Sequence, residues 1–92
     1  MVLIINQWTG RLTNNILQII RAIHYAKIEN HSVIIFKNNN YFKSNQITLN
    51  NFKNNTNIFN NFFNIKTMGC QDPPPVSMKE YFNKYIINIL NF

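Results

Sequence analysis

The residues best suited to bind a ligand lie in one loop near the amino terminus. Gly10 and Arg11 follow a short apolar run and directly precede Thr13 and Asn14, where a segment with helical periodicity begins. A glycine lets the backbone approach a ligand closely, and the free N–H groups at the start of a helix attract an anion or a polar sugar oxygen. The guanidinium of Arg11 adds a charge suited to a diphosphate or a carboxylate. The sequence therefore predicts a polar binding site at this loop.

The same residues also have structural interpretations. Arg11 is equally consistent with a solvated surface charge, and Asn14 with a helix cap, a role that is compatible with ligand binding. Trp8 in this loop favours a core or lid contact over a stacking platform for a sugar ring. These alternatives stay open at the level of the sequence.

Other candidates for metal binding or catalysis are few. His24 and His31 lie seven residues apart and Cys70 is distant, so they do not form a set of zinc ligands. Cys70 has no neighbouring general base to activate it, and a single cysteine cannot form an intramolecular disulfide. The three carboxylates include no Asp-x-Asp pair. We therefore expect no metal cofactor and assign no catalytic residue.

Two apolar runs flank the helix that follows the loop. Residues 2–5 are a continuous apolar stretch, and residues 32–36 are apolar after Ser32; such runs are typical of strands buried on both faces. Two such strands joined by a helix make a βαβ unit over residues 1–36, with parallel strands and a right-handed crossover. The predicted fold class is therefore α/β, with the parallel start of a Rossmann-like sheet.

The intervening helix has clear start and stop signals. Thr13 or Asn14 is the expected N-cap, and Asn30 tolerates the left-handed conformation that ends many helices. Gln18, Arg21 and Tyr25 fall on the solvent side of this helix. The packed side repeats at i, i+3, i+4 and i+7 and consists of Ile16, Ile19, Ile20 and Ile23.

Residues 37–70 form an irregular, Asn-rich region in which the periodicity fades. We interpret residues 38–40 as a turn and residues 46–49 as a short strand. Residues 58–65 carry enough aromatic side chains to pack, but helix and strand are equally supported there. This region is the least defined part of the sequence.

The carboxyl-terminal part predicts a stiff connector and a helix. Residues 71–76 are Pro-rich and should lie extended. Ser77 and Glu80 match a capping box, which predicts an amphipathic helix over residues 77–91 with Tyr81 on its packed side. A chain of 92 residues holds one core, so residues 1–92 form a single domain.

The loop and its helix resemble the first motif of the α-1,2-fucosyltransferases and protein O-fucosyltransferases, which reads Gly-Arg/Gly-Leu/Phe-Gly-Asn-Gln. Thr13 stands where the family has glycine, and Asn15 replaces the usual glutamine with a shorter amide. In those families the motif also lies between a strand and its helix, and it lines the interdomain cleft of a GT-B-type enzyme. The matching positions are Gly10, Arg11, Leu12, Asn14 and Gln18.

The resemblance implies an inverting transfer of fucose from GDP-fucose to a hydroxyl group of a glycan or protein, without a metal ion. It assigns substrate binding to Gly10, Arg11, Asn14 and Asn15. The family's donor motif, of the His-x-Arg-x-Gly-Asp kind, does not occur in the sequence. We therefore expect a truncated fragment, inactive alone, whose contacts with nucleotide sugar and acceptor depend on a missing carboxyl-terminal half; the uncapped helix ending at Phe92 agrees with truncation.

Charge and hydropathy favour neither a nucleic-acid-binding nor a membrane protein. The formal net charge is +6, but Lys and Arg are spread along the chain with no basic run, so we expect no nucleic-acid partner. No apolar stretch approaches the roughly 20 residues of a membrane span, and residues 1–6 are too short for a signal-peptide core. By default the sequence predicts a cytoplasmic location.

Two other function classes stay open. The chain could be a small non-catalytic α/β interaction module that binds a partner protein. A nucleic-acid-binding protein, the less favoured class, would need one basic face and strongly salt-dependent retention on a phosphate matrix. For the transferase class, we expect the isolated chain to bind GDP-fucose and GDP no tighter than millimolar.

Overall fold

The computed structural model describes residues 1–52, 58–64 and 76–91, and these residues build a small α/β domain. The sheet strands and the helices pack into a body with a Cα radius of gyration of 12.4 Å. In chain order the elements are β1 (Val2–Ile5), α1 (Leu12–Ile28), β2 (Val33–Phe36), β3 (Gln46–Thr48), a 3₁₀ turn (Leu49–Phe52), α2 (Ile58–Phe62) and α3 (Val76–Leu90).

The sheet has the strand order β1-β2-β3 and is mixed. β1 pairs with β2 in parallel, with Val2 opposite Val33, which confirms the predicted parallel pair; β2 begins one residue later than expected. β3 pairs with β2 antiparallel, with Ile47 opposite Ile34. Residues 37–45 connect these two strands without a helix, and a parallel return would have needed a longer crossover.

The expectation that both parallel strands are buried on both faces is wrong. Ile34 is buried, but Val2 and Ile4 are 47% and 60% exposed and Ile35 is 39% exposed. The exposed side chains lie on one face, because successive residues of a strand point to opposite sides. We call this face, formed by Val2, Ile4 and Ile35, the open sheet face.

The amino-terminal end of α1 differs from the prediction. The helix begins at Leu12, so neither Thr13 nor Asn14 is the N-cap. Arg11 holds that position with extended backbone angles, and its side chain makes no capping hydrogen bond. Gly10, with a φ of 70°, completes the turn before Arg11, and the helix starts immediately after it.

The carboxyl-terminal end of α1 confirms the prediction. Asn30 adopts a φ of 60°, and the backbone N–H of His31 donates to the carbonyl of Ala26 at 2.8 Å. This hydrogen bond is the one that closes a Schellman-type helix end. An asparagine at this position therefore ends the helix and turns the chain into β2.

The core joins α1 to an aromatic cluster contributed by the middle of the chain. Residues 58–62, for which the sequence did not choose between helix and strand, form α2, and Phe63 then makes an antiparallel bridge to Phe42. The rings of Phe59 and Phe63 stack at 4.6 Å, and the ring of Phe82 meets both edge-on at 5.3 Å. The α1 side of the core consists of the predicted set Ile16, Ile19, Ile20 and Ile23, each no more than 6% exposed.

α3 is amphipathic as predicted, but its first residue and the exposure of Tyr81 differ from the prediction. The helix begins at Val76, so Ser77 lies inside the first turn and is not the N-cap that a capping box requires. Tyr81, expected on the packed side, is 61% exposed. Asn83 of α3 accepts a hydrogen bond from the backbone N–H of Phe59 at 2.8 Å and so connects this helix to α2. Residues 71–75 of the predicted connector lie outside the described residues, and Val76, predicted as its last residue, is already part of α3.

Candidate functional site

Two loops meet at the carboxyl ends of β1 and β2. Residues 6–11 leave β1 and residues 37–45 leave β2, and the parallel pairing of these strands places both loops at the same edge. The indole Nε1 of Trp8 joins them by donating to the carbonyl of Lys37 at 3.1 Å. In an open α/β sheet this edge is where ligands bind.

Position 10 requires glycine because the side chain of Asn14 in the helix lies next to it. A Cβ atom added to Gly10 would overlap the side-chain amide of Asn14, and the positive φ would strain any other residue. The close approach that the sequence predicted for a ligand is therefore used by Asn14. A side chain at position 10 would have to displace Asn14.

Asn15 is the buried polar centre of the site, with only 2% of its surface exposed. Its Nδ2 donates to the carbonyls of Thr9 and Arg11 at 3.0 and 2.7 Å, and its Oδ1 accepts from Nδ2 of Asn39. Oδ1 of Asn39 in turn accepts from the backbone N–H of Tyr41 at 2.8 Å. One chain of amides thus joins both loops to α1.

Gln18 adds a second connection between α1 and the first loop. Its Oε1 accepts from the backbone N–H of Thr9, and its Nε2 donates to the carbonyl of Gln7, both at 3.1 Å. Thr9 is therefore held at its N–H by Gln18 and at its carbonyl by Asn15. The two residues fix the backbone of the loop from two successive turns of the helix.

An open hollow of about 800 Å³ lies between the two loops. Amide side chains and aromatic rings line it, and its described lining carries no charged residue. Trp8 also packs inward, with its ring 5.1 Å from that of Phe42 and 5.4 Å from that of Phe36, so the packing interpretation of this tryptophan is confirmed. The lining consists of Trp8, Gly10, Asn15, residues 38–40, Tyr41, Phe42 and Asn64.

Such a lining suits an uncharged polar ligand. Amide groups have the donors and acceptors that bind the hydroxyl groups of a sugar, and an aromatic ring offers an apolar face. The amides of Asn15 and Asn39 are engaged with each other and with the loop backbone, so they shape the hollow. A second hollow of about 610 Å³, lined by residues 38–40 and 42–45, continues along the same loop. Together they form a polar surface at the carboxyl edge of the sheet.

The four predicted substrate-binding residues divide into two pairs. Gly10 and Asn15 line the hollow, whereas Arg11 and Asn14 are exposed and lie outside its lining. The side chain of Asn15 is occupied by the loop carbonyls and by Asn39, so it positions the site.

The sequence analysis missed the contribution of the second loop. Residues 38–40 directly follow the second predicted strand, and the rule that parallel strands end at one edge could have placed them beside Gly10. Asn64 carried no such signal, because it reaches the hollow through the pairing of Phe63 with Phe42 and through its own N–H, which donates to the carbonyl of Tyr41 at 2.7 Å.

Within the described parts of the chain, the structure brings together no group of three or more metal-binding side chains. His24 and His31 lie on α1 and just after it, away from the hollow, and Cys70 lies outside those parts. None of the helices described has the length and apolar character needed to cross a bilayer.

The chain was compared with protein-family models, with curated protein sequences and with solved structures, and none of them matched. The functional assignment therefore rests on the geometry at the carboxyl edge of the sheet and on the chemistry of the residues that line it.

Proposed function

We propose that this chain forms the sugar-facing part of a glycosyltransferase resembling the fucosyltransferases, which move fucose from GDP-fucose to a hydroxyl group of a glycan or protein. The observation that supports this most is the place of the amide-lined hollow. It lies at the carboxyl ends of two parallel strands, beside the Gly10 turn and the start of α1. This is the position at which open α/β sheets bind their ligands.

The proposal assigns different parts of the substrate to different surfaces. The uncharged lining of the hollow suits sugar hydroxyl groups, and a diphosphate would lack a cation there. Arg11, exposed in the first loop, is the arginine nearest to the hollow along the chain. Its planar guanidinium is suited to bind a diphosphate. The guanosine diphosphate is therefore assigned to a second domain of GT-B type, which faces the hollow across a cleft.

Trp8 provides a direct test, because it is the single tryptophan and lines the hollow. We expect titration of the chain with fucose and fucosylated oligosaccharides to change its fluorescence with millimolar affinity, since the surface is open and half of a cleft. GDP should bind no tighter than millimolar. Amide NMR spectra during the same titration should shift most at Gly10 and residues 38–42.

A matched pair of variants separates the hollow from the rest of the surface. Asn40→Ala alters an exposed residue of the lining, and Asn50→Ala alters an exposed asparagine on the 3₁₀ turn. Only the first should weaken the response of Trp8 to sugars. An equal response in both variants, or micromolar binding of GDP to the wild-type chain, would contradict this assignment.

One observation favours the second class, a non-catalytic α/β interaction module. The open sheet face presents Val2, Ile4 and Ile35 to solvent, and exposed apolar surface commonly marks a site of protein contact. The two classes differ in where function is lost. Under the module hypothesis, Ile4→Ser abolishes partner binding. Under the same hypothesis, the fluorescence of Trp8 responds to sugars neither in the wild-type chain nor in any variant.

A further inference from the structure

A small apolar groove lies between α1 and α3, away from the amide-lined hollow. Its volume is about 200 Å³, below the roughly 300–1,000 Å³ of a typical small-molecule pocket, so it suits one or two side chains of a protein partner. Ile28, at its edge, is 54% exposed. The groove is lined by His24, Lys27 and Ile28 of α1 and by Tyr85, Asn88 and Ile89 of α3.

Exposed aromatic residues extend this apolar surface along both helices. Tyr25 on α1 is 52% exposed and Tyr81 on α3 is 61% exposed. Tyr81 lies one turn before Tyr85, with their rings 5.9 Å apart. Tyrosine is enriched at protein interfaces, because its ring buries apolar area while its hydroxyl keeps a polar contact.

The charge in the groove distinguishes between occupants. Its lining contains Lys27 and no carboxylate. The Lys27 ammonium donates one hydrogen bond to the carbonyl of Leu90 at 3.3 Å, which leaves two of its three N–H donors for an occupant of the groove. Arg21 lies one turn before His24, and Lys84 one turn before Asn88, so both add positive charge to the same helix faces. A second copy of the chain would bring like charges together here.

The two carboxylates of these helices are not part of the groove lining. Glu80 precedes Lys84 by one turn of α3, and Glu29 follows Ile28 at the end of α1. The groove lining therefore contains a cation and no carboxylate, and an occupant with carboxylates next to a large apolar side chain complements it.

We propose that this groove docks a short acidic segment of a partner protein. The segment inserts a large apolar side chain between Ile28 and Ile89 and places its carboxylates against Lys27 and Lys84. This site is independent of the amide-lined hollow, because the two surfaces share no lining residue.

Three fluorescein-labelled helical peptides test the proposal by fluorescence anisotropy with the full chain. The first carries two leucines four residues apart among glutamates, the second has lysine in place of each glutamate, and the third keeps the glutamates but has serine in place of each leucine. We expect the first to bind, and the other two to bind about tenfold weaker or less. Equal binding of the glutamate and lysine peptides would overturn the proposal.

Variants locate the binding surface. Ile28→Ser should weaken the first peptide about tenfold, whereas Ile4→Ser, on the open sheet face and of similar exposure, should not change it. Lys84→Glu should weaken it, whereas Lys37→Glu, an exposed lysine after β2, should have little effect. Equal losses within either pair would refute the assignment. The chain could instead bind phosphatidylserine vesicles more strongly than the first peptide, and lose this binding in Ile28→Ser. That result would show that the groove contacts a membrane surface and would overturn the proposal of a protein partner.

Discussion

Replacing Asn15 by alanine should destabilise the protein, because this one side chain joins both loops of the candidate site to α1. It is 2% exposed and takes part in three hydrogen bonds, two donated to the carbonyls of Thr9 and Arg11 and one accepted from Asn39. In Asn15→Ala all three side-chain bonds are lost at once, while the carbonyl of Arg11 still accepts from the backbone N–H of residue 15 at 2.9 Å. The amide of Asn39 then loses the acceptor that orients it toward Tyr41.

The expected magnitude follows from the exposure of the partners. Three hydrogen bonds at about 0.5–1.5 kcal/mol each set the range, and Thr9 and Arg11 are exposed, so water can replace part of the loss. We therefore expect the free energy of unfolding to fall by about 2 kcal/mol. In a domain of this size that lowers Tm by about 8–16 °C.

Asn15→Asp tests the direction of the hydrogen bonds at constant shape. The carboxylate would face the carbonyls of Thr9 and Arg11, so burial and these carbonyls raise the pKa of the introduced carboxyl group above its unfolded value. The folded state then binds the proton more tightly than the unfolded state. The variant should be more stable below the unfolded pKa and lose stability as the pH rises through the raised pKa.

Thermal unfolding followed by circular dichroism, and urea unfolding followed by Trp8 fluorescence, measure both effects. Asn14→Ala is the matched control, because Asn14 is the exposed neighbour on the same helix turn and should change stability by less than about 0.5 kcal/mol. If Asn14→Ala and Asn15→Ala unfold at the same temperature, the amide chain does not stabilise the loops and the argument fails. A pH-independent deficit in Asn15→Asp would refute the assignment of Nδ2 to the two carbonyls.

Three further substitutions test the framework. Gly10→Ala should cost at least about 1–2 kcal/mol in urea unfolding, because its φ is 70° and the new methyl overlaps Asn14; wild-type stability would show that the turn is not as described. Asn30→Gly should raise the stability slightly, since glycine has no side-chain penalty at a φ of 60°, and a lower Tm would argue against this helix end. Ile23→Ala should lower the free energy of unfolding by about 2–5 kcal/mol in calorimetry, because Ile23 is 0% exposed. Ile28→Ala should change it by less than about 0.5 kcal/mol, because Ile28 is 54% exposed. Similar losses in the two variants would show that the packed face of α1 is wrongly assigned.

The elements that the sequence predicted well depend on local patterns. The isoleucine repeat placed the packed face of α1, and Asn30 marked its end, because helical periodicity and a left-handed turn are properties of a short segment. The parallel pairing of β1 with β2 followed from the helix between them. The resemblance to fucosyltransferases and the function that it implies stay predictions.

The errors arose where several residues compete for one role. Thr13, Asn14 and Ser77 are all good N-cap types, yet α1 and α3 begin before them, because the turn at Gly10 and the packing of each helix determine where the chain starts to coil. Tyr81 was placed on the packed side of α3 by its helical position, but it is 61% exposed, because periodicity does not show how far the covering segments extend.

The site could be predicted only in part. The sequence pointed to the Gly10 loop, and the resemblance assigned substrate binding to Arg11, Asn14 and Asn15 as well. Of these three residues, only Asn15 lines the hollow. The prediction did not include residues 38–40, whose role depends on the pairing of the strand before them.

The strand, helix and strand of the first 36 residues follow from local patterns, since hydrophobic periodicity, a glycine turn and chain chirality act over short distances. The antiparallel direction of β3, the exposure of one sheet face and the burial of Asn15 against Asn39 arise from contacts between distant segments. These features depend on which distant segments cover a side chain and supply its hydrogen bonds. A side chain's own type does not carry that information.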